Sequence, residues 1–329
     1  MSKANVYVTR RLPEAALELL SRHTAMEVNP EERSLTREEL LAKVRGRNAV
    51  LCLLTDRIDE EVMAAAGPGC KIFANYAVGY NNIDVAAATR RGIIITNTPD
   101  VLTDATADMA WTLLLAVARR VVEGDRVNRC GQFKGWEPLF MLGREVSGKT
   151  LGIIGAGRIG QAVARRGSGF DMKIIYSANG SKPEFEAATG ARYVEKEQLL
   201  KEADFVSIHV PLTSDTHHLI GERELAMMKP TAILINTARG PVVDEKALVV
   251  ALKARQIWGA GLDVFEREPV LEPGLAELSN VVIPPHLGSA TEETRARMGL
   301  VAVENILAVL AGRIPPNGLN TQEILTREK

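Results

Sequence analysis

Leu151-Gly152-Ile153-Ile154-Gly155-Ala156-Gly157-Arg158-Ile159-Gly160-Gln161 is the stretch on which the reading of this chain turns. Leu151 to Ile154 is a short apolar run that predicts a buried strand, and Gln161 to Arg166 opens a helix. Between them, Gly155 to Gly160 matches G-x-G-x-x-G. That spacing alone is weak, because glycine-rich turns also serve structural ends; a strand before it and a helix after it make it specific. In that setting the first glycine permits the tight turn, the second admits a pyrophosphate, and the third lets helix and strand pack closely. The helix start adds N–H groups and a positive dipole end for the phosphates. The stretch implies a dinucleotide site.

The next strand ends in Tyr176-Ser177-Ala178-Asn179-Gly180-Ser181-Lys182. An NAD-selective site usually places an acidic residue here for the ribose 2'-hydroxyl. No carboxylate stands in this loop, whereas Ser177, Asn179, Ser181 and Lys182 suit a 2'-phosphate. The expectation leans slightly to NADP, with NAD also serviceable.

Outward from this stretch, the same alternation of strand and helix continues in both directions. On the C-terminal side, Lys173 to Tyr176, Phe205 to His209, Ala232 to Asn236, Ala260 to Val264 and Val281 to Ile283 read as further strands, completing a doubly wound pattern. On the N-terminal side, strands are expected at Val6 to Val8, Ala49 to Leu54, Ile72 to Ala74 and Ile93 to Thr96. Helix-like stretches at Pro13 to Ser21 and Thr36 to Val44 lie among them, which implies a second parallel sheet covered by helices. One long helix is expected from Thr103 to Arg129, and a last one from Thr291 to Leu310. With 329 residues and 46% hydrophobic content, the chain has material for two α/β domains.

Composition narrows the function. The 40 basic and 41 acidic residues nearly cancel, and no segment gathers charge of one sign, which speaks against nucleic-acid and membrane partners. Cys52, Cys70 and Cys130 lack C-x-x-C spacing and form no zinc set with the histidines, so a reduced, cytosolic, metal-free chain is expected. Met1 to Arg10 lacks the apolar length of a signal peptide, and no run approaches a membrane span.

Three polar residues each follow a strand: Arg239, Glu268 and His286. Ligands of open α/β sheets bind beyond those strand ends. Histidine exchanges a proton near neutral pH, and a carboxylate beside it favours its charged form and holds its ring. The arginine fork can grip a substrate carboxylate bidentately and polarise an adjacent carbonyl. Singly these are an ion-pair residue, a solvated carboxylate and a structural hydrogen-bonder. Together they favour catalysis.

With these residues in place, the chain resembles the D-isomer-specific 2-hydroxyacid dehydrogenase family over nearly its whole length, and within it the glyoxylate and hydroxypyruvate reductase branch. The matching pieces are Tyr76 to Tyr80, Asn97 to Asp108, Gly155 to Gly160, Asn236 to Gly240, Asp263 to Pro269 and His286 to Ser289. The resemblance implies a Rossmann dinucleotide-binding domain, residues 99–288, inserted into a flavodoxin-like substrate domain formed by 1–98 and 289–329, with substrate in the cleft. It implies that Arg239 binds substrate, His286 is the acid/base and Glu268 tunes it. Backbone amides at Val78 and Gly79 would receive the substrate carboxylate.

Cofactor contacts implied by the resemblance fall on Thr103, Gly155, Ala156, Gly157, Arg158, Ile159, Gly160, Ser177, Ala178, Asn179, Gly180, Pro211, Thr237, Ala238, Arg239, Asp263, His286, Leu287 and Gly288. Asp263 would take the nicotinamide carboxamide, an ordinary loop cap being the alternative. Trp136 matches a segment that in relatives reaches a neighbouring subunit, which implies a homodimer; as a lone aromatic it reads as packing. Relatives often carry arginine where Asn179 stands, and Pro284-Pro285 precedes His286 where one proline is common. The implied reaction is NAD(P)H-dependent reduction of glyoxylate or hydroxypyruvate to glycolate or D-glycerate. A nucleotide-sensing interaction protein on the same fold, or a dehydrogenase of another small acid, are the alternatives.

Overall fold

Strand residues buried on both faces are apolar without interruption, and the expected strands form where such runs occur. The computed structural model describes residues 3–327 and divides into two compact units, Met1–Leu102 with Ala290–Lys329, and Thr103–Ser289. The boundaries thus fall after residues 102 and 289, beside the 98 and 288 expected.

The first unit is built on a five-stranded parallel sheet from β1 (Asn5–Val8), β2 (Ala25–Val28), β3 (Ala49–Cys52), β4 (Ile72–Asn75) and β5 (Ile94–Thr96), in the order β2-β1-β3-β4-β5. All four residues of β3 and of β4 are buried, as runs at the sheet centre must be. Edge strand β2 leaves Ala25 exposed and Glu27 half-buried, so its sequence carries no apolar run to find. Thr36 and Asp59 cap the helices Arg37–Lys43 and Glu60–Ala66 by accepting backbone N–H groups of the first turn, Thr36 through a full capping box. The helix Glu292–Leu310, capped by Thr291, returns to this unit, and Tyr76 donates its hydroxyl to the Arg295 carbonyl at 2.6 Å.

The second unit holds a seven-stranded parallel sheet: β6 (Thr150–Ile154), β7 (Lys173–Ser177), β8 (Arg192–Tyr193), β9 (Phe205–Ile208), β10 (Ile233–Asn236), β11 (Gly259–Leu262) and β12 (Val281–Val282). Their order is β12-β11-β10-β9-β6-β7-β8, so the winding reverses at β6. One face is covered by the helices Thr103–Ala118 and Arg158–Gly167, where Trp111, Leu113 and Leu114 pack with Ile153 and Val163. The other is covered by Lys196–Glu202, Glu222–Met227 and Glu245–Lys253, around Leu199, Leu225, Leu248 and Leu252.

The register matters most for function. Ser177 pairs with Ile154, Ile154 with Ile208, Ile208 with Asn236, and Asn236 with Leu262. Five strands therefore end in one row, and the loops that follow them leave from a single edge.

The long helix expected from Thr103 to Arg129 is two helices, Thr103–Ala118 and Val121–Arg129. Arg120 breaks it with φ at 54°, a left-handed conformation that an α-helix cannot carry through. Its guanidinium forks onto Glu123, in the first turn of the second helix, at 2.7 and 2.9 Å. The three cysteines are free, and among the described residues no helix is long and apolar enough to cross a membrane.

Candidate active site

The glycines of the β6 turn answer to the geometry that a dinucleotide needs. Gly155 sits at φ 106°, where a Cβ would also lie 2.5 Å from the His209 carbonyl oxygen. A Cβ on Gly160 would lie 2.1 Å from the Gly155 carbonyl oxygen, so this glycine sets the helix against the turn. On Gly157 a Cβ would meet nothing within 4 Å, which leaves open space over the backbone where a pyrophosphate needs to approach. The helix Arg158–Gly167 starts at Gly157 with no side-chain cap, so Arg158 and Ile159 stand in a first turn that no side chain closes off. Thr237, just beyond β10, has a buried hydroxyl oxygen with no hydrogen-bond partner among the described residues. Such an orphan suits a ligand group. The residues fit the cofactor.

The row of strand ends places the other expected contacts. Ser177 closes β7, and Ala178, Asn179 and Gly180 form the turn behind it, with Gly180 N–H donating to the Ala178 carbonyl at 2.7 Å. Pro211 follows β9, Thr237 and Ala238 follow β10, Asp263 follows β11, and Leu287 and Gly288 follow β12. Thr103 begins the helix Thr103–Ala118. Ala156 packs on the apolar core beneath it.

A carboxylate missed in the sequence reaches the β7 loop from further along the chain. Glu186 Oε1 accepts the hydroxyls of Tyr176 and Ser181, both at 2.7 Å. These bonds hold Glu186 below the ordinary carboxylate range. Ser181, expected as a 2'-phosphate contact, is thereby committed to an anion.

Arg239, Glu268 and His286 converge. His286 Nδ1 lies 2.9 Å from Glu268 Oε2, while Glu268 Oε1 accepts the Phe265 N–H at 3.0 Å. Burial pushes the Glu268 carboxyl up, but the hydrogen bond and charge of His286, the Phe265 N–H and Arg239 together bring it below its usual range. Arg239 is largely desolvated, which pulls it down from its ordinary value against the charge of Glu268.

The turn that carries Arg239 is stapled by Asn236, whose amide nitrogen donates to the Arg239 carbonyl at 2.9 Å while its oxygen accepts the Ala238 N–H at 3.0 Å. Arg239 Nη1 donates to the Ala238 carbonyl at 2.6 Å. Asn236 thus fixes the backbone on either side of Arg239, and its signal in the sequence was an amide closing an apolar strand.

His286 holds φ at 55° and is followed by two backbone N–H groups, of Leu287 and Gly288, that donate to Asp263 Oδ1 and Oδ2 at 2.6 and 2.7 Å. Asp263 is 1% exposed, and burial raises its carboxyl above the usual range despite those bonds. These two bonds make Asp263 a cap of the loop that carries His286.

Val78 and Gly79 belong to the first unit. Their carbonyls accept the amides of Asn97 at 2.8 Å and Asn75 at 2.9 Å, which fixes the turn after β4. Trp136 is 84% exposed, so it does not pack within its own chain.

An arginine, a carboxylate-paired histidine and a phosphate-shaped turn on one sheet edge form a set suited to hydride exchange with an acid substrate. Residues 111–288 match the family model described as D-isomer specific 2-hydroxyacid dehydrogenase, NAD binding domain. A glyoxylate reductase of Thermococcus gammatolerans is 53% identical over 99% of this chain and 98% of its own length. One from Pyrococcus furiosus is 52% identical over 99% and 98%. Among solved structures, a glyoxylate reductase from Paecilomyes thermophila covers 98% of this chain and 100% of its own at 36% identity and a TM-score of 0.87. The NADPH-dependent glyoxylate/hydroxypyruvate reductase of Sinorhizobium meliloti, solved with NADP and malonate, covers 98% of both chains at 32% identity and a TM-score of 0.86. The chain belongs to the D-isomer specific 2-hydroxyacid dehydrogenases, an oxidoreductase family with a Rossmann nucleotide-binding domain.

Proposed function

We propose that this protein reduces glyoxylate or hydroxypyruvate to glycolate or D-glycerate with NADPH or NADH, and that Arg239, Glu268 and His286 carry the reaction. The observation that carries the proposal is the 2.9 Å pairing of His286 with Glu268 beside a desolvated Arg239, on the edge where the glycine turn opens. The names of full-length relatives at 53% and 52% identity support the substrate.

When bound, the nicotinamide supplies the hydride. His286, oriented through Nδ1 by Glu268, presents Nε2 and gives the proton to the substrate oxygen. Arg239 holds the substrate carboxylate and offsets the charge developing on that oxygen. Glu268 remains ionised and holds the His286 ring through Nδ1. The resemblance assigns the substrate carboxylate to Val78 and Gly79 as well, and that assignment is part of the proposal. The missing carboxylate in Ala178 to Lys182 favours NADPH, and Glu186 offsets this by withdrawing Ser181, so both cofactors serve.

A homodimer is also proposed. The helix Val121–Arg129 buries none of its residues, and Phe133, Trp136, Leu139 and Leu142 beyond it are all more than half exposed. Apolar groups gathered in this way mark an interaction site, and a second copy would cover them.

The test of the chemistry is single-turnover reduction of glyoxylate and hydroxypyruvate with each cofactor. His286→Ala is expected to lose roughly 10²- to 10⁴-fold in rate with cofactor affinity little changed. A near-normal rate would reject the role of His286, and tight cofactor binding without turnover on any oxo acid would favour a sensor.

A further inference from the structure

On the loops next to Arg239 and Glu268, the second unit gathers two imidazoles and a carboxylate that the proposed reaction does not use. We propose that His217, His218 and Glu266 bind a divalent cation of borderline softness, of which Zn²⁺ and Ni²⁺ are the representatives. One donor atom from each of the three lies within 4.8 Å of the others. His218 Nε2 and Glu266 Oε1 stand 3.0 Å apart. Ligands about 2.0–2.2 Å from a tetrahedral ion are themselves separated by little more than this, so the pair already has the spacing of two neighbouring ligands. The ring of His217 stacks on that of His218 with centroids 4.0 Å apart, close enough for a modest ring rotation to supply the third donor.

The donor types select the ion. Imidazole nitrogen with one carboxylate suits zinc, nickel or cobalt, whereas magnesium and calcium prefer oxygen throughout. His217 is exposed, which gives the ion an entry path and leaves room for water to complete its coordination. For His218 to bind through Nε2, its proton must sit on Nδ1, and Asp244 Oδ2 lies 3.9 Å from that nitrogen, on the side where a supporting carboxylate would stand. Entry of the ion replaces the hydrogen bond between His218 Nε2 and Glu266 Oε1, and the single imidazole proton moves by way of solvent to Nδ1.

The surroundings hold the donors in place. The His218 N–H donates to the Pro241 carbonyl at 2.8 Å. Glu266 Oε2 accepts the Glu245 N–H at 3.3 Å, and the Glu266 N–H donates to Glu245 Oε1 at 2.6 Å. Pro241 and Glu266 are each two residues from Arg239 and Glu268. A bound ion would therefore brace the two loops that carry those side chains.

The experiment uses the full-length, tag-free protein stripped with a chelator. Calorimetric titration with zinc chloride is expected to show one equivalent, retained after desalting and read by elemental analysis. His217→Ala, at an exposed position chosen to leave the fold intact, should weaken binding at least about tenfold and abolish the zinc-dependent rise in Tm. Glu266→Gln, with circular dichroism confirming the fold, should weaken it too. Absence of binding at millimolar zinc, or unchanged affinity in His217→Ala, overturns the proposal; the latter places the ion elsewhere, as at a cysteine.

Discussion

Gly240 and Phe265 meet backbone to backbone: a Cβ on Gly240 would fall 1.9 Å from both the carbonyl carbon and the carbonyl oxygen of Phe265. The loops after β10 and β11 are thereby pressed together, which brings Arg239 to Glu268. Gly240→Ala must push the loops apart. Displacing a catalytic group by about 1 Å costs on the order of 10²-fold in rate, so kcat/KM should fall by that order while cofactor affinity changes little. Steady-state kinetics beside a cofactor titration checks this, and unchanged kinetics would show that the loops relax without moving Arg239.

The depressed Glu268 carboxyl makes a prediction about pH. A carboxylate held below its ordinary value stays ionised as pH falls past that value, so its pairing with His286 is present throughout the weakly acidic range and is lost only below it. Glu268→Gln should therefore lower turnover at pH 5 as well as at pH 7.5, because the charge it removes is present at both. Equal turnover of wild type and variant at pH 5 would mean that the carboxylate no longer acts on His286 there.

His209, at the end of β9, predicts acid sensitivity. Burial lowers it from 6.5 to about 3, so it is neutral in the fold while the unfolded chain takes up a proton below pH 6.5. The unfolded state then binds more protons between those values, and stability present above pH 6.5 is lost progressively as pH falls toward 3. The slope contributed is about 1.4 kcal/mol per pH unit. His209→Gln keeps a hydrogen-bonding group for Ser207, which lies 2.8 Å from Nε2. Urea unfolding across this range should show a shallower pH dependence in the variant; an equal slope would assign the sensitivity elsewhere.

The exposed Leu139 offers a test of self-association. Leu139→Glu puts a charge on the apolar segment and should shift the protein from dimer to monomer in sedimentation velocity, with little change in unfolding of the isolated chain. A monomeric wild type would remove the proposal outright.

Legibility in the sequence followed burial. Strands β3, β4, β6, β9 and β10 announce themselves because both faces are covered, while β2 and β8 at sheet edges carry Glu27 and Arg192 and do not. The candidate set Arg239, Glu268 and His286 was legible because each member follows a strand, even where, as at β12, the strand is only two half-buried residues. The break at Arg120 was not, since apolar spacing continues through it and only the backbone angle changes. Glu186 and the grouping of His217 and His218 with Glu266 were hidden for another reason: their partners lie far off in the chain or behind a turn, and no local spacing encodes the meeting. For Asp263 the residue was found but its partners could not be.

Because Asp263 spends both oxygens on the backbone just after His286, the loop that carries His286 hangs from the end of an interior strand, β11. Its amides at Leu287 and Gly288 should exchange with solvent deuterium as slowly as those of the sheet, unlike an ordinary surface connection. Warming would then silence the enzyme only when the sheet itself begins to open, so inactivation and global melting should coincide.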